Sequence, residues 1–464
     1  MASFFYNKSM NMKAINPLTG DLIKEYQAHS VPEVCAKLEA AEQAFLSWKA
    51  LSYAGRSKYL ERVSEVLRSK KRQLAELMAS EMGKPIKSGM AEIDKCALVC
   101  RYYADHAEQF LSQERVNAGG SESYITFQPL GVVLAVMPWN FPFWQCFRFL
   151  APGLMAGNVA VLKHASNVPG CALAIEDIWR EAGLPEKVFQ TLLVGSSEVE
   201  EIIKNPVVKA VTLTGSTGAG MKVAGQAAAL LKKAVLELGG SDPYLIFEDA
   251  DIDLAATKCA ESRLINAGQS CIAAKRFIVM EQVAENFIAS FKVKMSAQIP
   301  GDPMDEQTEI GPMATLKLRD ELHNQVLKSI EAGAECILGG RVEPGAHAFY
   351  PPTILTRVKK GMPAYDEELF GPVASVIVVK DEAEAVRIAN DTVFGLGSAV
   401  FTKDLNRAAK IAESMIDAGC CFINDYVRSI PELPFGGIKQ SGYGRELGVY
   451  GIKEFVNVKT IYRA

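Results

Sequence analysis

The chain has 464 residues, of which 49% are hydrophobic and 22% charged, with a formal net charge of −4. That length exceeds what one compact core serves, so two or three domains are expected, and the near-neutral balance argues against nucleic acid as a partner. No apolar run reaches the ~18 residues of a membrane span, Met1–Lys13 lacks the apolar region and cleavage site of a signal peptide, and the cytoplasm is the expected location.

In chain order, Val31 to Lys49 reads as a helix, with Pro32 near its start and apolar residues at Val34, Leu38, Ala41, Phe45 and Trp48. Arg56 to Met82 continues helical and stops at Gly83, with Pro85 beyond. Ala91 to Phe110 is a third helix. The character changes at Tyr124. Strand-like runs at Ile125–Phe127, Val132–Met137, Val159–Leu162, Phe189–Val194, Ala210–Thr214 and Val235–Leu238 are interleaved with helices at Ala172–Ala182, Glu198–Lys204 and Gly220–Leu231. A second alternating series follows Gly239, with strands at Tyr244–Phe247, Phe277–Met280, Val373–Val379 and Ser398–Phe401. Helices at Leu254–Ile265 and Glu382–Asn390, and one running through Lys294, separate them. Such alternation argues for an α/β protein built from parallel βαβ units, in two series with a cleft between them. Tyr124–Val136 and Asn457–Tyr462 read as strands outside both series.

The ten cysteines are scattered, which is not a disulfide framework, and the five histidines are isolated. Cys96 and Cys100 share a helix face, but no His or second cysteine pair completes a metal site, so no metal is expected. Cys271 stands apart. It closes Asn266-Ala267-Gly268-Gln269-Ser270-Cys271, among small and polar neighbours, where a thiol is free to act as a nucleophile.

Other positions carry two or more readings each. Gly215-Ser216-Thr217-Gly218-Ala219-Gly220 follows a strand and opens a helix; it is either a phosphate-binding turn with its second glycine displaced or a plain tight turn. Lys163 ends a strand at the edge where ligands of parallel sheets sit, as a ribose ligand or an ordinary solvated lysine. Glu237, at the end of an apolar strand, reads as a ribose-binding acid, a general base with a raised pKa, or half of a buried ion pair. Asn140, between Pro138 and Pro142, is either an oxyanion donor or a turn asparagine.

Taken in order, Pro138–Pro142, Lys163, Gly215–Gly220, Glu237–Gly240, Gly268–Cys271, Glu367–Pro372 and Pro434–Gly437 closely resemble the aldehyde dehydrogenase superfamily, over about Asn16 to Lys459. The resemblance implies a Rossmann-like cofactor domain (1–110 and 130–239), an α/β catalytic domain (240–438), and a small β element (111–129 and 453–464) that pairs subunits into a homodimer or homotetramer. It implies Cys271 as nucleophile, Asn140 and the Cys271 N–H as oxyanion donors, and Glu237 as the base for water. Trp139, Lys163, Gly215, Ser216, Gly220, Glu368 and Phe370 match cofactor contacts. The family's usual glutamate is replaced by Ser166, which removes repulsion of a 2′-phosphate, so use of both NAD and NADP is expected.

Within the superfamily the chain is most similar to the succinate-semialdehyde dehydrogenase branch. Arg148 and Ser429 match residues that hold the distal carboxylate there. A second branch arginine is replaced by Ile265, which leaves Arg263 or Arg428 as substitutes. Ala273 stands where some members carry a second cysteine, so no redox switch is expected with Cys271. The alternatives are another small or ω-carboxy aldehyde as substrate, transfer of the acyl group to coenzyme A, which Glu237 argues against, and a non-catalytic protein on this fold.

Overall fold

The computed structural model describes residues 11–342 and 347–464. Met1 to Met10, most of the stretch read for a leader, lie outside the described residues.

Among the described residues, a first sheet has the strand order Gly442–Tyr443, Lys233–Glu237, Val208–Thr214, Val132–Met137, Val159–His164, Phe189–Thr191. All its pairings are parallel except the one made by Gly442–Tyr443. The strands are apolar runs buried on both faces, as parallel sheets covered by helices require. The chain runs outward from Val132–Met137 to one side, then returns to its other side at Val208–Thr214. That reversal makes a topological switch point at the carboxyl edge, where ligands of open α/β sheets sit.

The helices Val31–Trp48, Tyr53–Ser69, Lys71–Met82 and Ile86–Phe110 share one apolar core with this sheet. Their ends follow local rules. The Glu33 carboxylate accepts the Ser30 N–H at 2.7 Å, closing the first helix start. The single helix expected over Arg56–Met82 is two, broken at Lys70, whose φ/ψ of −101°/8° leaves the helical region. A hairpin, Met12–Ile15 with Leu22–Tyr26, precedes them.

A second sheet runs Glu335–Leu338, Thr353–Thr356, Val373–Val379, Arg276–Met280, Pro243–Ile246, Gly397–Phe401, Cys420–Ile423, parallel apart from the first pair. A third joins Val456–Arg463, Glu122–Pro129 and Glu114–Arg115, all antiparallel. The α/β expectation holds, with one correction. The stretch Tyr124–Val136 is not one strand outside the series. It divides at Leu130–Gly131, where Gly131 has φ +133°. Its first part joins the third sheet; its second part, with every residue but Val136 buried, sits between Val208–Thr214 and Val159–His164.

No helix among the described residues is long and apolar enough to cross a membrane.

Candidate functional site

Cys271 follows a strained turn. Asn266 (φ 54°, ψ 43°), Ala267 (φ 53°, ψ 36°) and Gly268 (φ 74°) are three consecutive left-handed residues. For a non-glycine residue this conformation costs roughly 1–2 kcal/mol, and it persists only where the surroundings over-determine it. They do here. The Asn266 side-chain amide donates to the carbonyls of Asn140 (2.8 Å) and Gln269 (3.2 Å). The Gln269 amide donates back to the Asn266 carbonyl, and its oxygen accepts the Ala314 N–H. Arg263 donates to the Gly268 carbonyl at 2.6 Å. Gly268 must be glycine on two counts, since a Cβ there would also lie 2.3 Å from the Gly371 backbone. Beyond the nucleophile, the Lys275 ammonium gathers the carbonyls of Ser270, Cys271 and Ala273.

The Asn140 amide donates to the Gln269 carbonyl at 3.1 Å, which leaves its second N–H free and its buried oxygen unpaired. The segment is anchored from behind by Glu92, whose carboxylate accepts the N–H groups of Phe143 and Trp144 and pairs with buried Lys84. Glu237 is 1% exposed, and neither carboxylate oxygen has a hydrogen-bond partner. Burial pushes its pKa well above the ordinary carboxylate range; Arg148 and Arg445 pull it down and Glu446 pushes it further up. Burial likewise pushes the Cys271 thiol up to about 12, against the pull of Arg148 and Lys275 and with Glu368 and Glu237 adding to the rise. The thiol and the carboxyl thus each favour their neutral form at rest, and Glu237 adds to the rise at the thiol.

Cys271 lines a cavity of about 610 Å³ together with Arg148, Ser429, Arg428, Lys95 and Trp144. Asn140 and Glu237 are not among the residues that line it. Arg148 reaches the cavity but is already ion-paired with Glu446, both side chains being nearly fully buried, and it stacks on Phe435. Of the two candidates for the missing second arginine, Arg263 is excluded from the cavity, being 0% exposed and committed to the nucleophile turn. Arg428 lines the cavity but pairs with Asp425. Lys95, which sequence reasoning missed, lies in the cavity as well. Its only signal was a lysine three residues after the buried Glu92 on one helix, too common a pattern to single out.

The residues matched to cofactor contacts gather at the carboxyl edge of the first sheet. Lys163, from Val159–His164, is 7% exposed, and among the described residues its ammonium makes neither a hydrogen bond nor an ion pair; burial lowers its pKa. Such a group calls for an oxygen-rich ligand. The adjacent His164 is a core histidine: Nε2 bonds the Pro142 carbonyl, Nδ1 accepts the Ala165 N–H, and burial holds it neutral, down to about 4. Ser166 and Ser216 are exposed. Ser216 caps the helix Thr217–Ala228, and Gly220 lets that helix close on Leu238, since a Cβ would lie 2.4 Å from its side chain. Glu368 reaches across from the second sheet to accept the Gly240 N–H at 2.9 Å, and Phe370 meets Trp139 edge-on at 5.8 Å. An exposed helix N-terminus, an unpaired buried lysine and an aromatic pair at a switch point fit a dinucleotide.

Residues 5–461 match the model of the aldehyde dehydrogenase family. The chain is 50% identical over 455 residues to the probable succinate-semialdehyde dehydrogenase (NADP(+)) of Synechocystis sp., covering 98% of this chain and 100% of that one. It is 47% identical to succinate-semialdehyde dehydrogenase (NADP(+)) 1 of Mycobacterium tuberculosis, with the same coverage. A solved structure of succinic semialdehyde dehydrogenase from Streptococcus pyogenes, in complex with NADP+ as the cofactor, superposes with a TM-score of 0.95 at 36% identity, over 97% of this chain and 99% of that one. Matched by the family model along almost its whole length and about half identical to full-length relatives, the chain belongs to the aldehyde dehydrogenase family.

Proposed function

We propose that the protein oxidises succinate semialdehyde to succinate, with NADP as the favoured cofactor and NAD also used. The observation that carries this is the cavity that opens on Cys271 and is lined further along by cations and a buried hydroxyl. The Lys95 ammonium and Ser429 hydroxyl on its wall suit an aldehyde ending in a carboxylate. The names of the close relatives support the same substrate and cofactor.

The Cys271 thiol passes its proton to solvent water, and its sulfur bonds to the aldehyde carbon as the carbonyl electrons move onto oxygen. The free N–H of the Asn140 amide and the Cys271 N–H, which donates to no group among the described residues, hold that oxyanion. The bound cofactor supplies the hydride acceptor. Once hydride has left, the carbon is a thioester. Glu237, once it has lost its resting proton to solvent, takes a proton from water as its carboxylate, the hydroxide adds to the thioester carbon, and the C–S bond breaks to release succinate and the thiolate. A carboxyl raised by burial has the proton affinity this step needs. Lys163 would hold a ribose hydroxyl or the 2′-phosphate, Gly215, Ser216 and Gly220 the pyrophosphate, Trp139 and Phe370 the nicotinamide end, and Glu368 its ribose. Ser166 places no negative charge against a 2′-phosphate.

In this reading residues 1–110 and 130–239 hold the cofactor and 240–438 carry the nucleophile. Segments 111–129 and 453–464 join copies into a homodimer or homotetramer; exposed Val458 and Tyr462 on the long third-sheet strand favour such pairing. A cytoplasmic location suits ten free cysteines.

The test is steady-state oxidation of succinate semialdehyde with each cofactor, with product analysis. Turnover should give free succinate with a higher kcat/KM for NADP. Ser166→Glu should shift the NADP-to-NAD ratio toward NAD by about tenfold, or ~1.4 kcal/mol. An absence of succinate semialdehyde turnover, or a product formed only with coenzyme A, would refute the assignment.

A further inference from the structure

The cation matched by sequence to the distal carboxylate, Arg148, is already ion-paired. Glu446 pairs with it from behind, and Nη2 bonds Thr214 Oγ1 at 3.4 Å. Arg428 is likewise paired, with Asp425. The position where the branch carries its second arginine is apolar Ile265, one wall of the same cavity.

Lys95 is the exception. It reaches the cavity from the helix Ile86–Phe110 and makes no ion pair among the described residues. Its ammonium lies 4.1 Å from the centroid of the Trp144 ring and donates to Ser429 Oγ at 2.9 Å. Trp144 Nε1 donates to the same oxygen at 3.1 Å. An oxygen that accepts twice still has its own hydrogen to give, and no acceptor takes it among the described residues. This end of the cavity therefore presents the remaining ammonium hydrogens and a serine O–H held in place by two donors. A site of hydrogen donors bearing a positive charge recognises an anion. Burial, together with Arg148 and Arg428, pulls the ammonium down to about 8, a penalty that a bound carboxylate would offset.

We infer that Lys95 is a specificity-determining residue: with the Ser429 hydroxyl that it and Trp144 position, it takes the carboxylate of the aldehyde whose carbonyl lies at Cys271. Lys95 thereby fills the role that Ile265 leaves vacant. The inference rests on the ω-carboxy aldehyde reading above.

The experiment compares succinate semialdehyde with butanal, which has the same carbon count and no carboxylate, in the full-length enzyme supplied with NADP. Lys95→Met keeps the apolar stem and removes the charge. It should raise KM for succinate semialdehyde by at least about tenfold, leave kcat within about threefold, and leave kcat/KM for butanal within about twofold of wild type. Lys95→Arg should recover most of the loss on succinate semialdehyde. If Lys95→Met stays within about threefold of wild type on succinate semialdehyde, or loses equally on both aldehydes, the role assigned to Lys95 is overturned and the substrate reading stands. A wild-type enzyme that oxidises both aldehydes equally well overturns the substrate reading and this inference with it.

Discussion

The two ends of the cavity are built on opposite plans. At the Cys271 end the backbone is held in a left-handed turn and a buried carboxyl goes without hydrogen bonds. At the Ser429 end the backbone is unstrained, and the polar side chains are engaged with one another through Lys95, Trp144 and Ser429. Chemistry that forms and breaks bonds needs groups kept away from their most stable state, and the protein supplies that by rigidity. Recognition of a charged end needs only donors at the right spacing, and Lys95 and Trp144 on helices, with Ser429 on an irregular segment, supply it.

The sharpest way to break this contrast is Glu237→Gln. Steady-state turnover should fall on the order of 10²–10⁴-fold, with a stoichiometric burst of reduced cofactor remaining because acylation precedes the step that Glu237 serves. Stability should move the other way. The raised native pKa means the folded protein binds more protons than the unfolded chain between the ordinary carboxylate value of 4.5 and the native value, so Glu237 weakens the fold progressively as pH rises through that window. Melting of Glu237→Gln against wild type should show a gain that widens from pH 5 to pH 8. Equal melting curves at both pH values would show that Glu237 is not held against its ionisation.

Arg148 tests the boundary between the two plans. Arg148→Met leaves Glu446 buried and unpaired, a loss of about 3–5 kcal/mol in denaturant unfolding. Combining it with Glu446→Leu should restore most of that stability. If the single substitution is nearly neutral in stability while KM for succinate semialdehyde rises, Arg148 belongs to the recognition end instead.

The smallest effect belongs to Ser429→Ala. It removes one neutral acceptor and one donor to the substrate, so kcat/KM for succinate semialdehyde should fall by about 5–30-fold, or ~1–2 kcal/mol, with butanal oxidation little changed. A uniform loss on both aldehydes would place Ser429 in support of the cavity wall.

How far the sequence reaches follows the same division. Short-range rules made much of this molecule legible. Apolar runs buried on both faces, strand–helix alternation and the stop at Gly83 set the α/β class and most elements. Pro138–Pro142, Gly215–Gly220 and Gly268–Cys271 marked the turns because proline and glycine restrict or free the backbone locally. Pro138–Pro142 and Gly215–Gly220 follow neighbouring strands of one parallel sheet, so they share its carboxyl edge. What the sequence alone did not determine depends on contacts between distant residues. Lys95 and Ser429 are 334 residues apart, and neither carries a local signal of the other. Arg148 looks like a free cation until Glu446 folds against it. Val132–Met137 looks like a continuation of the strand before it until pairing on both sides draws it into the middle of the first sheet. Local propensity and turn chemistry act over a few residues and can be read in line. Which buried charges are neutralised, and which cation remains to meet a ligand, is decided only when the tertiary structure brings the partners together.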